Sequence, residues 1–165
     1  KLLYIYYYYY YQMDGGRYMF LNELKRDEAI AFLELVNQMA NVDEVFAKEE
    51  KELIEDYKEE LKLPKDYEMK NISYEDIMKV LSKATVRNKR IIYFEILGLA
   101  LIDGDYEARE IELLEKIEKD LNIERARRIA ISNYFFIFTE IYNFSVVDAD
   151  SKIDLLREQA EIILG

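Results

Sequence analysis

The chemistry open to this chain is carboxylate chemistry. Its 165 residues hold 34 Asp and Glu against 23 Lys and Arg, with no His and no Cys. That composition removes thiolate catalysis, zinc-thiolate sites, the Ser-His-Asp triad and di-iron bundles built on Glu-x-x-His. The acids that gather are Asp103, Asp105, Glu107 and Glu110, with Asp43, Glu44 and Glu50 in an earlier stretch. Oxygen ligands of this kind suit a hard cation such as Ca²⁺ or Mg²⁺. The spacing is not that of an EF-hand, because the D-x-D-x-D-G series and the Glu at its twelfth place are missing. Helix capping accounts for Glu107 and Glu110 equally well, since carboxylates accept from the first free amides and oppose the positive end of the helix dipole. Cation binding and capping both stand as readings of these residues.

The element that must position them is LALIDGDYEAREIELLEKIEKDLNI, residues 99–123. Leu99, Ala100 and Ile102 close one apolar helical face, and Asp103-Gly104 breaks the helix where glycine reaches the left-handed region without a Cβ penalty. Glu107 sits at the N-cap of the next helix with Glu110 three residues on, and Tyr106 and Ile111 form a hydrophobic staple. Ile111, Leu114, Ile117, Glu118 and Leu121 then recur at helical spacing, with Glu112, Glu115, Lys116, Lys119 and Asp120 on the wet side.

An ungapped shift of sixty residues lays residues 39–63 over 99–123. Ala40/Ala100, Asp43/Asp103, Glu50/Glu110, Leu53/Leu113 and Leu61/Leu121 are identical, and Phe46/Tyr106 and Ile54/Leu114 keep their apolar character. This predicts a duplicated helix-turn-helix unit, each copy needing a partner to bury its apolar face. The phrase A-L-I-D-G-D-Y-E-A-R-E-I-E-L-L, with its K-D-L-N-I helix end, resembles the TerB-like (tellurite-resistance protein B) family, related to the N-terminal helical domain of DnaJ-type membrane-associated co-chaperones. The matching residues are Ala100, Asp103, Gly104, Tyr106, Glu107 and Glu110. The first copy departs from the pattern, with Glu44 in the place of Gly104 and Ala47 in that of Glu107. The resemblance, which covers about residues 33–123, implies a non-enzymatic helical module that meets a partner or a metal through acidic residues at the Asp103 and Glu110 positions.

The remaining text fits one domain. Residues 1–18, with six consecutive tyrosines and Asp14-Gly15-Gly16, read as an arm or a leader ahead of Met19, and residues 19–165 as a single helical domain. Leu24, Ala29, Ile30, Phe32, Leu33, Val36 and Met39 mark a first helix with Asp27 and Glu28 on its wet side. A second runs from Ala47 to Leu63, stopped by Pro64. Ser73 caps a third, with Asp76 three residues on. A fourth, from Arg87, is apolar on most sides and should be the most buried. The fifth is the Glu107 helix, the sixth covers 124–144 with an aromatic second half, and the last carries Ile153, Leu155, Leu156, Ala160, Ile163 and Leu164. The expected fold is an all-α compact bundle of about seven helices with two pseudo-repeated helix-turn-helix units.

A net charge of −11 argues against nucleic acid and anionic membrane surfaces as partners. The aromatic stretch 133–144 is too short and polar to span a bilayer. It either packs in the core or offers a homodimer or partner surface, as does the Tyr-rich arm. Lys83, Arg87, Lys89 and Arg90, and Arg125, Arg127 and Arg128, open helices against the dipole and call for outside compensation, most simply by salt bridges. Two functions follow. One is a cytoplasmic, non-enzymatic stress-response or adaptor module that binds a protein partner and a divalent cation through the acidic turns. The other is a carboxylate-only Mg²⁺-dependent hydrolase of a small phosphorylated compound, which requires inward-facing acids on helix centres. The sequence reads its acids as lying at turns and on wet faces, favouring the first.

Overall fold

The computed structural model describes residues 20–40, 48–103, 108–143 and 149–165, and the regular structure among them is all helical. A 3₁₀ turn at Leu21–Glu23 leads into α1 (Arg26–Ala40), α2 (Lys48–Glu60), α3 (Tyr74–Leu81), α4 (Val86–Asp103), α5 (Ala108–Asp120), α6 (Arg125–Asn143) and α7 (Ala149–Leu164). The starts follow from local chemistry. Ser73 accepts from the Asp76 amide at 3.2 Å and donates its hydroxyl to the Asp76 carboxylate at 2.9 Å, the expected cap of α3. Thr85 accepts from the Asn88 amide at 3.1 Å to open α4. At α1 the reciprocal half of that motif is used, the Lys25 amide donating to the Glu28 carboxylate at 2.9 Å.

The sixty-residue shift holds in the backbone. α1 and α4 begin at Arg26 and Val86, and α2 and α5 begin at Lys48 and Ala108 and end at Glu60 and Asp120. Both second helices stop in the same way. Lys62 and Asn122 take left-handed φ values of 53° and 56°. The Lys62 amide bonds the Glu59 carbonyl at 3.1 Å and the Leu63 amide the Lys58 carbonyl at 2.8 Å, against 3.1 Å for Asn122 to Lys119 and 2.9 Å for Ile123 to Glu118. Each pair satisfies carbonyls that a helix end otherwise leaves open. Pro64 therefore does not stop α2: the left-handed residue two places earlier ends it, and the proline follows a turn already made.

α2 and α3 pack on α1, α5 and α6 pack on α4, and α7 lies against α6 and α4. Every residue from Ile91 to Ala100 is buried, so α4 is the central helix its composition predicts. Its bulk meets aromatic side chains, Phe94 lying 5.1 Å from Tyr134 and 4.8 Å from Phe135 between ring centroids, and Phe20 edge-on to Phe94 at 6.4 Å. Phe135 comes so close at Gly98 that an added Cβ would lie 2.5 Å from its ring. A side chain there would force the two helices apart. In the other unit Phe32 meets Tyr57 edge-on at 5.4 Å, fixing α2 on α1.

The sequence reading of two faces changes. Glu28, expected on the wet side of α1, is 3% exposed, because its carboxylate is taken by the Lys25 amide and by the Asn88 side chain at 2.7 Å. Ile111, expected on the apolar side of α5, is 43% exposed, and Leu114, Ile117 and Leu121 carry that face into the core with Leu113 packed against it.

Candidate functional site

Of the acids proposed as ligands, Asp43, Glu44, Asp105 and Glu107 fall outside the described residues. Asp103 is the last residue of α4, and Glu50 and Glu110 are each the third residue of their helix. Each acidic stretch lies between the first and second helix of its unit, and the second helices start sixty residues apart, at Lys48 and Ala108. Among the described residues no group of three or more His, Cys, Asp or Glu side chains is arranged to hold a metal ion.

The interior holds acids that the periodicity reading missed. Glu34, at the centre of α1, is fully buried. One of its oxygens accepts from the Tyr67 hydroxyl at 3.1 Å and the Lys70 amide at 2.6 Å, while the other is buried with no hydrogen-bond partner. Gln38 donates to the Ile72 carbonyl at 2.6 Å and Asn37 to Asn71 at 3.3 Å, so α1 straps the 64–73 connection along its length. Burial and then the Glu34 bond push the Tyr67 phenol up to about 12. Glu95, at the centre of α4, is 3% exposed. Burial first, then the charges of Glu95 and Glu60, raise the Tyr57 phenol well above its ordinary value. The acids of this chain are therefore not confined to turns and wet faces. The signal was there to read: Glu34 stands inside the run AFLELV, where no helical side is polar.

A surface recess of about 410 Å³ is lined by Glu115, Glu118, Lys119, Asn122, Ile123 and Arg128. Its floor carries an ion pair, Arg128 Nε to Glu118 Oε1 at 3.3 Å. Beneath it the Tyr93 phenol is raised by burial and by Glu118, with Arg128 opposing. Glu118, placed by spacing on the apolar face of α5, is at home there because Tyr93 and Arg128 take up its carboxylate.

Arg87, Arg90, Arg127 and Arg128 of the basic clusters find compensation within the fold. Arg87 holds Glu23 through two bonds of 2.7 and 2.8 Å and reaches Glu161 at 3.0 Å. Arg90 donates to the Leu164 carbonyl at 3.0 Å, and Arg127 to the Ile162 carbonyl at 3.4 Å and to Ile163. Cations at the starts of α4 and α6 thereby serve the carbonyl end of α7. The aromatic half of α6 divides: Tyr134 and Phe135 are buried, whereas Phe136 is 66% and Ile137 43% exposed. No helix among the described residues is long and apolar enough to cross a membrane.

With this geometry in hand, a scan against protein-family models, a search of curated proteins and a search of solved structures return no match.

Proposed function

We propose that this chain is a non-enzymatic helical module of TerB-like type, in a stress-response or adaptor role, that binds a partner protein. The observation that carries the reading is on α6. Ile131, Tyr134 and Phe135 fill the core from one side, while Ile129 and Phe136, seven residues apart on the other side, are 46% and 66% exposed. Two large exposed apolar side chains on one side of a helix whose other side is already in the core support the reading of a protein-binding surface. Affinity capture from the native cell with the wild type and with Ile129→Gln/Phe136→Gln tests this. A protein retained by the wild type and lost from the variant is the expected result; identical capture by both removes the reading.

The TerB-like type rests on the sequence resemblance and on the sixty-residue offset between the starts of α2 and α5, and the residues proposed for Ca²⁺ or Mg²⁺ are Asp43, Glu50, Asp103, Asp105, Glu107 and Glu110. Calorimetry with either ion on the wild type and on Asp103→Asn/Glu110→Gln is the measurement. Heat in the wild type that the variant loses is expected, and a wild type silent below millimolar ion sinks the cation part.

A further inference from the structure

The sixty-residue period does not stop at the second unit. Carried on once more, it takes α1 and α4 to α7: Ala40, Ala100 and Ala160 coincide, as do Val36, Ile96 and Leu156. Ala100 and Ala160 are buried and Ala40 partly so, and all three β-branched or leucine positions are buried, so α7 uses the same side toward the core as its two counterparts. α7 thus occupies the third place in the sixty-residue register.

The counterparts differ on the opposite side. Residues 31–37 of α1 and 91–97 of α4 are buried without exception, nearly two turns covered all round. Leu35 and Glu95 are 0% and 3% exposed, yet their equivalent Leu155 is 50% exposed, and Ile162, one heptad on, is 77% exposed. Tyr57 of α2 lies near enough to Glu95 of α4 to feel its charge. The same Tyr57 packs on Phe32 of α1. α2 packs on α1 and carries Tyr57 near Glu95, the counterpart of Leu155, whose own side of α7 is exposed.

The charge on that face selects its occupant. Glu158 lies between Leu155 and Ile162 and is exposed, while Glu161 beside it is paired with Arg87. A second copy of α7 laid antiparallel across the face would set Glu158 against Glu158, and α2 or α5 of a second copy would bring more carboxylates. We propose that the outer side of α7, built on Leu155 and Ile162 with Glu158 between them, receives a cationic amphipathic helix of a partner protein. The surface is distinct from the Ile129–Phe136 side of α6 and shares with it only the premise that the chain binds protein.

The probe is a fluorescein-labelled peptide of about 18 residues, with Leu at helical spacing and Lys elsewhere, titrated with the full chain near physiological salt. An acidic Leu/Glu peptide of the same pattern serves as its counterpart. Saturable binding of the cationic peptide is expected. It should weaken about tenfold or more in Leu155→Gln/Ile162→Gln, which leaves the net charge untouched, weaken in Glu158→Lys, and stay unchanged in Ile129→Gln/Phe136→Gln. No saturable binding, equal binding by the wild type and the α7 variant, or preference for the acidic peptide would overturn the proposal. So would a dimer seen by light scattering that the α7 variant abolishes. Failure of the α6 capture experiment with success here, or the reverse, separates the two surfaces.

Discussion

Glu28 and Asn88, sixty positions apart in the chain and equivalent under its repeat, are hydrogen-bonded to each other at 2.7 Å inside the core. A residue that touches its own counterpart lies where the two units meet. The pair is complementary there, one acceptor and one donor, whereas first unit against first unit would place two carboxylates together. Asn88→Asp should cost about 2–3 kcal/mol by confronting two buried acids, and Glu28→Gln about 1 kcal/mol. The double variant reverses donor and acceptor, and urea unfolding should show a coupling of about 1 kcal/mol in its favour.

Gly98 should tolerate nothing larger. With the Phe135 ring at 2.5 Å from the missing Cβ, Gly98→Ala gains helix propensity but loses about 1–3 kcal/mol to overpacking, and the loss should shrink in a Phe135→Leu background. Thermal unfolding of the four chains checks both signs.

The two left-handed helix stops give a graded pair. Lys62→Gly should stabilise by about 0.5–1 kcal/mol, since a Lys at φ 53° carries a Cβ strain that glycine lacks. Asn122→Gly should gain less, asparagine being already suited to that conformation. Equal gains, or a loss at Lys62, would overturn that grading.

Glu34 as a strap predicts that an acceptor is required there. Glu34→Ala strands the Lys70 amide and opens a void, costing about 2–4 kcal/mol, whereas Glu34→Gln keeps an acceptor and should cost about 1 kcal/mol or less. Tyr67 donates only while protonated. Its raised value means this contribution is whole below the ordinary phenol value near 10 and is lost as pH climbs through about 12. Alkaline unfolding of wild type and Tyr67→Phe should converge above that range.

At the acid end the Arg87 hydrogen bond lowers Glu23 against the opposing effect of its partial burial. A depressed carboxylate stabilises the fold above its unfolded value near 4.3 and ceases to do so as pH falls through the lower folded value. The pair is partly exposed, so Arg87→Gln should cost about 1 kcal/mol at neutral pH and less at pH near 3. A cost that does not fall with pH would assign the role of Arg87 to its contact over the Phe20 ring, 5.6 Å away, rather than to charge.

What was legible in the sequence was whatever local chemistry decides. The Ser73 cap, the helical stretches and the burial of α4 follow from residues within a few turns of one another, and the sixty-residue echo from comparing two such local patterns. What periodicity could not read were polar groups whose partners are distant. Glu28 is taken up by Asn88, sixty positions on, and so read as a solvent-facing acid, while the groups that meet Glu34, Tyr67 and Lys70, lie thirty-three and thirty-six positions on. Pro64 drew attention away from Lys62 because a left-handed lysine has no composition signal. The acidic candidates Asp43, Asp105 and Glu107 were legible as motif, and their geometry lies outside the described residues.

The arginines that meet the last turn of α7 give the bundle a sense of direction. Arg90 and Arg127 stand near the amino ends of α4 and α6, where they are ill placed for their own helices, and are compensated by carbonyls at Ile162, Ile163 and Leu164. Were α7 to dock upside down, those guanidinium groups would face amide hydrogens instead, cation against cation-like pole. An apolar stripe alone reads much the same in either orientation; these arginines supply the arrowhead.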